Sequence, residues 1–281
     1  MALHRGFYRE FEHAERIFGQ TLPKSSVNSA VLAVLAYPEE LVIRAGATCI
    51  RLYNGCMQIC LFDIDGTLLS SGGAGKAAME AALESAFCAA RSTDGVPFAG
   101  RTDRAIIRDL FHAGQIEDSA DNRGRFLAAY LRHLPGCLAD HQGQVLPGIA
   151  ALLQVLQQRT DVVVGLLTGN MRDGARLKLG HYGLYHHFAF GAFGDEHLTR
   201  DEVAQEAIVA VRNHVRQSVE SGRIWVIGDT PLDVRCARSI GARAVAVGTG
   251  WHTLDQLAAE QPDLLLPDLS DPAPLLALWS C

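Results

Sequence analysis

Gln58-Ile59-Cys60-Leu61-Phe62-Asp63-Ile64-Asp65-Gly66-Thr67-Leu68-Leu69 is the stretch on which the reading of this chain turns. Met57 opens a short, mostly apolar run closed by turn residues, the mark of a parallel-sheet strand buried on both faces. The run ends in two aspartates two positions apart. Ligands of open α/β sheets bind at the carboxyl ends of strands, so Asp63 and Asp65 stand where a site is expected. Two carboxylates this close still differ in environment, so that one serves as nucleophile or metal ligand and the other carries protons. The plain alternative is an Asp-Gly turn with solvated carboxylates.

Working outward, residues 72–140 read as all-helical. Met79, Leu83 and Phe87 recur at helical spacing, as do Ile106 with Leu110, and Phe126 with Tyr130 and Leu134. From Pro147 the pattern alternates. Helices are expected at Ile149 to Gln158, Arg172 to Tyr182 and Asp201 to Val219, and strands at Val162 to Leu167, Phe188 to Phe193, Ile224 to Ile227 and Ala242 to Val247. Such alternation means a parallel sheet with crossover helices. The helical stretch interrupts it after the first strand, so residues 72–144 form an inserted domain in a core made of residues 57–71 and 145–281.

Residues 1–56 carry no sustained periodicity beyond a short helix near Tyr8 to Phe18 and an apolar patch from Val31 to Leu35. They read as an N-terminal extension, without fixed order or outside the mature chain, with Met57 as the working start. The alternative is a helical extension packed on the domain or on a dimer partner.

The 281 residues are 48% hydrophobic and 20% charged, which suits a folded chain with a real core and excludes disordered and fibrous classes. A net charge of −6 leaves no basic footprint for nucleic acid. The longest apolar run, Val27 to Tyr37, is about half of what a membrane-spanning helix needs. Seven scattered cysteines suggest neither a disulfide framework nor a zinc site, and a cytoplasmic location is expected.

Two further strand ends carry chemistry. Leu166-Leu167-Thr168-Gly169-Asn170 offers a hydroxyl and turn N–H groups to an anion. Val226-Ile227-Gly228-Asp229-Thr230-Pro231-Leu232-Asp233 adds two more aspartates. Four carboxylates converging on one sheet edge repel one another unless a hard cation is present, and Mg2+ is the ion that sits on a few carboxylates plus phosphate oxygens.

With these three segments the chain, over residues 57 to about 275, resembles the haloacid dehalogenase superfamily of phosphohydrolases. Asp63-Ile64-Asp65-Gly66-Thr67 matches its first motif, Thr168 its second, and Gly228-Asp229 with Asp233 its fourth. The resemblance implies a Rossmann-like α/β core with a helical cap, and Gly100-Arg101-Thr102-Asp103 looks like the cap's substrate-facing loop. It further implies that Asp63 attacks phosphorus to form a phosphoaspartate, while Asp65 protonates the leaving oxygen and later deprotonates water. Mg2+ would be held by Asp63, the Asp65 backbone carbonyl and Asp229, with Asp233 as an additional or outer ligand. Thr168 would bind phosphoryl oxygens, together with Gly169 and Asn170, and Arg101 would reach the substrate from the cap.

The chain departs from the family at one point. A lysine is expected just ahead of the helix before the fourth motif, where this chain has Gly194-Asp195-Glu196-His197-Leu198-Thr199-Arg200-Asp201. Arg200 has the position, and Lys178, on the helix after the second motif, has the ammonium that better matches the role. Lys178 lies about 10–12 Å beyond Asn170 along a helix, less the lean of helical side chains toward the N-terminus. Gly72-Gly73-Ala74-Gly75-Lys76-Ala77 hints at a nucleotide P-loop, but Ser70 replaces its first glycine and Ala77 its Ser/Thr, so it reads as a hinge. His181, His186 and His187 read as exposed loop residues, and Cys60 as core. The expected activity is Mg2+-dependent hydrolysis of a small phosphorylated metabolite, a phosphoglycolate-like monoester first. A phosphomutase of the same superfamily and a non-catalytic phosphate- or Mg2+-binding module are the alternatives.

Overall fold

The computed structural model describes residues 33–37, 40–45, 48–53, 57–89, 93–216 and 218–279. Two compact units divide at Met57. In the first, β1 (Ala33–Tyr37), β2 (Glu40–Ala45) and β3 (Thr48–Tyr53) form an antiparallel sheet, with Val34 opposite Ile43 and Ile43 opposite Ile50. Strands in this stretch differ from the unordered or helical extension expected. The helix expected near Tyr8 to Phe18 lies outside the described residues.

The second unit is built on a six-stranded parallel sheet. In chain order its strands are β4 (Gln58–Phe62), β7 (Val162–Leu167), β8 (Gly191–Ala192), β9 (Ile224–Gly228), β10 (Arg243–Val247) and β11 (Leu264–Leu266), in the spatial order β11-β10-β9-β4-β7-β8. Every pairing is parallel. From β4 the chain steps outward through β7 and β8, then returns to β9 on the other side of β4 and moves out the opposite way. The direction of winding thus reverses at β4, and the crevice at such a switch point is where α/β sheets bind ligands.

β4 is buried along its whole length. Phe62, Leu166, Trp225, Ile227 and Val245 face the helices in one apolar core. Trp225 and Trp279 meet edge to face at 6.2 Å, and the Trp225 indole N–H donates to Gln58 Oε1 at 3.0 Å, which satisfies the polar end of a buried ring. Helices α4 (Ile149–Gln158), α5 (Arg172–His181), α6 (Arg200–Val215), α7 (Pro231–Ser239), α8 (Leu254–Ala258) and α9 (Ala273–Ala277) complete the layers.

Between β5 (Leu69–Ser70) and β6 (Gln144–Val145), an antiparallel pair, three helices are inserted: α1 (Ala74–Phe87), α2 (Asp103–Ala113) and α3 (Ala120–Asp140). Thr102 and Ser119 cap the last two through side-chain bonds to Ala105 and Asn122 N–H. Met79, Leu83, Ile106, Leu110, Phe126, Tyr130 and Leu134 are all buried in a core of their own, with Phe111 edge to face on Phe126 at 5.6 Å. The glycine-rich hinge turns into α1, where the Lys76 ammonium lies 6.0 Å from the centre of the Phe98 ring.

Some boundaries differ from expectation. Only Gly191 and Ala192 pair in β8, because Tyr185–His187 forms a 3-10 turn and Phe188 closes it; Phe188 and Phe193 are buried at the ends of the run, while Ala189 is exposed and Phe190 half-buried. α6 stops at Val215, where Arg216 takes a left-handed conformation. β5, β6, β11, α8 and α9 are too short to show periodicity. No helix among the described residues is long and apolar enough to cross a membrane.

Candidate active site

Three adjacent strand ends meet at the switch point. Asp63 is the first residue past β4, and its N–H donates to Ile227 O at 3.0 Å, carrying the sheet pairing one step further. Asp229 follows β9 and Thr168 follows β7. Asp233 lies in the first turn of α7, where its Oδ2 accepts from Thr230 N at 3.0 Å and Thr230 Oγ1 at 2.7 Å in a reciprocal cap. Gly66, at φ 85°, packs on the Asp229 carboxylate, where any β-carbon would overlap it, and Thr67 Oγ1 donates to Asp229 Oδ1 at 3.1 Å.

Asp63, Asp229 and Asp233 each bring an oxygen within 4.8 Å of the others, and all three are buried. Among the described residues no other group of acids, histidines or cysteines does this. The Asp65 side chain is outside the group. Among the described residues one cation bonds this group: the Arg200 guanidinium, which donates to Asp63 Oδ1 at 3.2 Å, to Leu167 O at 3.4 Å and to Asp233 Oδ1. Arg200 enters from the start of α6, placed by the Thr199–Glu202 capping box. Burial pushes the Asp63 carboxyl up to about 6, against the pull of Arg200 and with the push of Asp233. Burial, then Asp233 and Asp63, pushes Asp229 well above the usual carboxylate range. Three buried hard oxygens with a charge deficit of this kind fit a divalent cation such as Mg2+.

Asp65 faces a second set of partners. Lys178 Nζ donates to Asp65 Oδ2 at 2.6 Å and to Asn170 Oδ1 at 2.7 Å. Asn170 Nδ2 donates to Asp65 Oδ2 at 2.9 Å and to Thr168 Oγ1 at 2.8 Å, and Ser71 Oγ donates to Asp65 Oδ1 at 3.3 Å. Burial alone would raise Asp65, but the Lys178 charge and these hydrogen bonds outweigh it and hold the carboxyl below its ordinary value. Lys178 is itself 5% exposed; burial opposes its charge, and Asp65, Tyr130 and Asp103 more than restore it. The distance from α5 is closed by the backward lean of the lysine side chain.

Lys178 and Arg200 are therefore both at the centre, on different carboxylates. Thr168 is fully buried between Asp63 and Asn170. Gly169 is one of the places where the inserted helical segment touches the core, since a β-carbon there would overlap the Arg101 carbonyl. Arg101, the expected substrate contact, has its guanidinium on Asp109 Oδ2 at 2.7 Å, Pro97 O at 3.0 Å and Ala105 O at 3.5 Å. Its side chain braces the loop, and the residue of that loop that enters the core is Asp103, to which sequence reading gives no role of its own. An acid in the first turn of a helix is ordinary, and no local signal distinguishes this one.

Fold and site together define an α/β enzyme with an acidic centre at the switch point of its sheet. A family model described as haloacid dehalogenase-like hydrolase matches residues 60–238, and the chain belongs to that family. It is 30% identical over 216 residues to a phosphoglycolate phosphatase of Synechococcus elongatus, spanning 76% of this chain and 95% of that one. It is 25% identical over 223 residues to a probable phosphatase, IndB, of Dickeya dadantii, spanning 76% and 90%. Its fold matches that of a predicted phosphatase from Clostridium acetobutylicum with a TM-score of 0.61 at 18% identity, covering 79% and 99% of the two chains.

Proposed function

We propose that the protein is a Mg2+-dependent phosphatase of small phosphorylated metabolites, phosphoglycolate-like monoesters first, working through a phosphoaspartate on Asp63. The observation that carries this reading is the division of labour at the end of β4: Asp63 lies in the three-carboxylate group, and Asp65 lies on Lys178 and Asn170. The likeness to the Synechococcus elongatus phosphoglycolate phosphatase supports the substrate class.

An Asp63 carboxylate oxygen attacks phosphorus in line, and the bond from phosphorus to the ester oxygen breaks. Asp65 gives its proton to the departing oxygen. A water then attacks phosphorus and loses a proton to Asp65, the bond to Asp63 breaks, and inorganic phosphate leaves. Free Asp65 is held as the carboxylate by Lys178, so the acid form arises as the ammonium is drawn to the incoming phosphate. Thr168 binds a phosphoryl oxygen, while Arg200 keeps Asp63 in line and holds a buried Nε–H without a partner in reserve for phosphate. Asp63, Asp229, Asp233 and the Asp65 carbonyl would hold Mg2+, which offsets phosphate charge when bound. Residues 72–144 act as the cap that excludes water, over a core of residues 57–71 and 145–281.

Hydrolysis of p-nitrophenyl phosphate and of 2-phosphoglycolate, with Mg2+ and with chelator, tests the reading. Turnover that needs Mg2+ and disappears in Asp63→Asn is the expected result. Wild-type rates in purified Asp63→Asn would overturn it.

A further inference from the structure

Asp103 opens α2 in the inserted helical segment, yet it is only 7% exposed and its contacts are with the core. Its N–H donates to Gly169 O at 2.7 Å, and its Oδ2 accepts from Met171 N at 2.8 Å. One residue thus grips both neighbours of Asn170. Asn170 in turn joins Asp65, Thr168 and Lys178, at 2.9, 2.8 and 2.7 Å. The approach is close enough that Gly169 has no room for a β-carbon beside the Arg101 carbonyl. A second line of backbone bonds backs the turn, with Gly194 N donating to Asn170 O at 2.9 Å and Arg104 N to Gly194 O at 3.3 Å.

The carboxylate is placed at some cost. Burial pushes it up to about 6, and Lys178 and the Met171 N–H offset only part of that. Its position at the amino end of α5 favours an anion through the helix dipole, but a neutral side chain would cap Met171 without the desolvation penalty.

We infer that Asp103 is a positioning residue that couples docking of the inserted helical segment to assembly of the Asp65–Asn170–Lys178 group. When α2 is docked, the turn from Gly169 to Met171 is pinned from both sides and Asn170 holds Asp65 toward the leaving oxygen. When it lifts away, the pin is withdrawn and the proton-transfer group loosens, while Asp63 and its three-carboxylate group stay as they are. The inference rests on the reading of Asp65 as the acid that protonates the leaving group.

That distinction gives the experiment a readout that a merely structural role would not move. Dinitrophenolate leaves phosphorus without needing a proton, whereas an alkoxide needs one. The comparison is kcat/KM for 2,4-dinitrophenyl phosphate against 2-phosphoglycolate, in Mg2+, for wild type, Asp65→Asn, Asp103→Ala, Asp103→Ser and Asp103→Asn. Asp103→Ala should lose about 100-fold on the alkyl ester, the lower end of what general acid catalysis supplies, and only a few-fold on the aryl ester. Asp103→Asn keeps an oxygen for Met171 N and should recover most of the loss. Should Asp103→Ala fail to fold, Asp103→Ser, whose hydroxyl falls short of Met171 N, takes its place against Asp103→Asn. Equal losses on both esters, no loss at all, or no recovery in Asp103→Asn would each overturn the inference. An absence of the split in Asp65→Asn would instead overturn the reading of Asp65 on which it rests.

Discussion

On one side of the β4 carboxyl end three carboxylates cluster beside one guanidinium, which bonds two of them; on the other, one carboxylate meets one ammonium. Asp63, Asp229 and Asp233 are left with a charge deficit, and burial pushes the first two up. Asp65 is matched by Lys178 and by amide and hydroxyl donors, and it is held down. Burial penalises the charged form in both halves, so it does not separate them; the count of partner charges does. An unbalanced half is a place that gains from a cation arriving with its substrate. A balanced half is one that keeps the proposed proton-transfer group defined between turnovers.

The largest effect that tests this division is loss of the proposed nucleophile. Asp63→Asn removes the attacking charge at almost constant volume, and steady-state turnover should fall by at least about 10⁴-fold. Removing one negative charge from the crowded half should at the same time leave thermal unfolding unchanged or raise its midpoint. A large drop in stability would mean that Asp63 is needed to hold Arg200, and that the deficit is smaller than the charge count says.

Next are the two cations, whose removal should fail in different ways. Lys178→Met leaves the half-buried Asp65 without its counter-charge, so the carboxyl should move up and the alkyl ester should suffer most. Arg200→Met leaves three acids facing one another, so both ester types should lose about 10²–10³-fold, the scale of a lost electrostatic contact in a dry site. Breaking the buried Arg200 pairs should also cost about 3–5 kcal/mol in urea unfolding, whereas the Lys178 pair, whose Asp65 side chain is 37% exposed, should cost less. Identical ester profiles for the two variants would merge the halves into one network.

Mg2+ should discriminate between the halves more gently. At a concentration about 100 times its dissociation constant it should stabilise the fold by about 2.7 kcal/mol at pH 7.5. The gain should shrink toward pH 5, because protons compete for Asp63 and Asp229, whose affinities for them are raised. Asp229→Asn should lose the gain and Lys178→Met should keep it. Calorimetric unfolding with and without Mg2+ reads all three, and a gain lost in Lys178→Met would break the comparison.

Much of this is legible in the sequence, for a physical reason. Strand ends at the switch point are short, apolar and closed by polar turns, so Asp63, Thr168 and Asp229 are visible as the residues that stop three buried runs. Arg200 shows itself by replacing a lysine at a helix start. What local pattern does not carry is which way a side chain turns once the inserted segment docks. Arg101 and Asp103 sit two positions apart in one loop, and only the packing on Gly169 decides that the arginine braces Asp109 while the aspartate enters the core. Strands of two residues, as in β5, β6 and β8, are set by pairing partners far along the chain.

The smallest effect concerns Asp103, which lies near the balanced half yet is pushed up to about 6, with Lys178 lowering it. A carboxyl raised in the folded state binds more protons there than in the unfolded chain between about pH 4 and 6. Stability must then fall as pH rises through that window, by about 1.36 kcal/mol for each tenfold gain in proton affinity on folding, and so by at most about 3 kcal/mol here. Asp103→Asn keeps the acceptor for Met171 N but does not titrate. Asp63 and Asp229 titrate in both proteins and cancel in the difference. Urea unfolding of the two proteins at pH 4.5, 6 and 7.5 should therefore show the variant gaining on wild type as pH rises, by about 2 kcal/mol in all. A flat difference would mean that Lys178 already neutralises Asp103 in full, and the balanced half would then hold two carboxylates on one ammonium. That outcome would remove the contrast in charge count and leave the contacts of Asn170 as what sets the two halves apart.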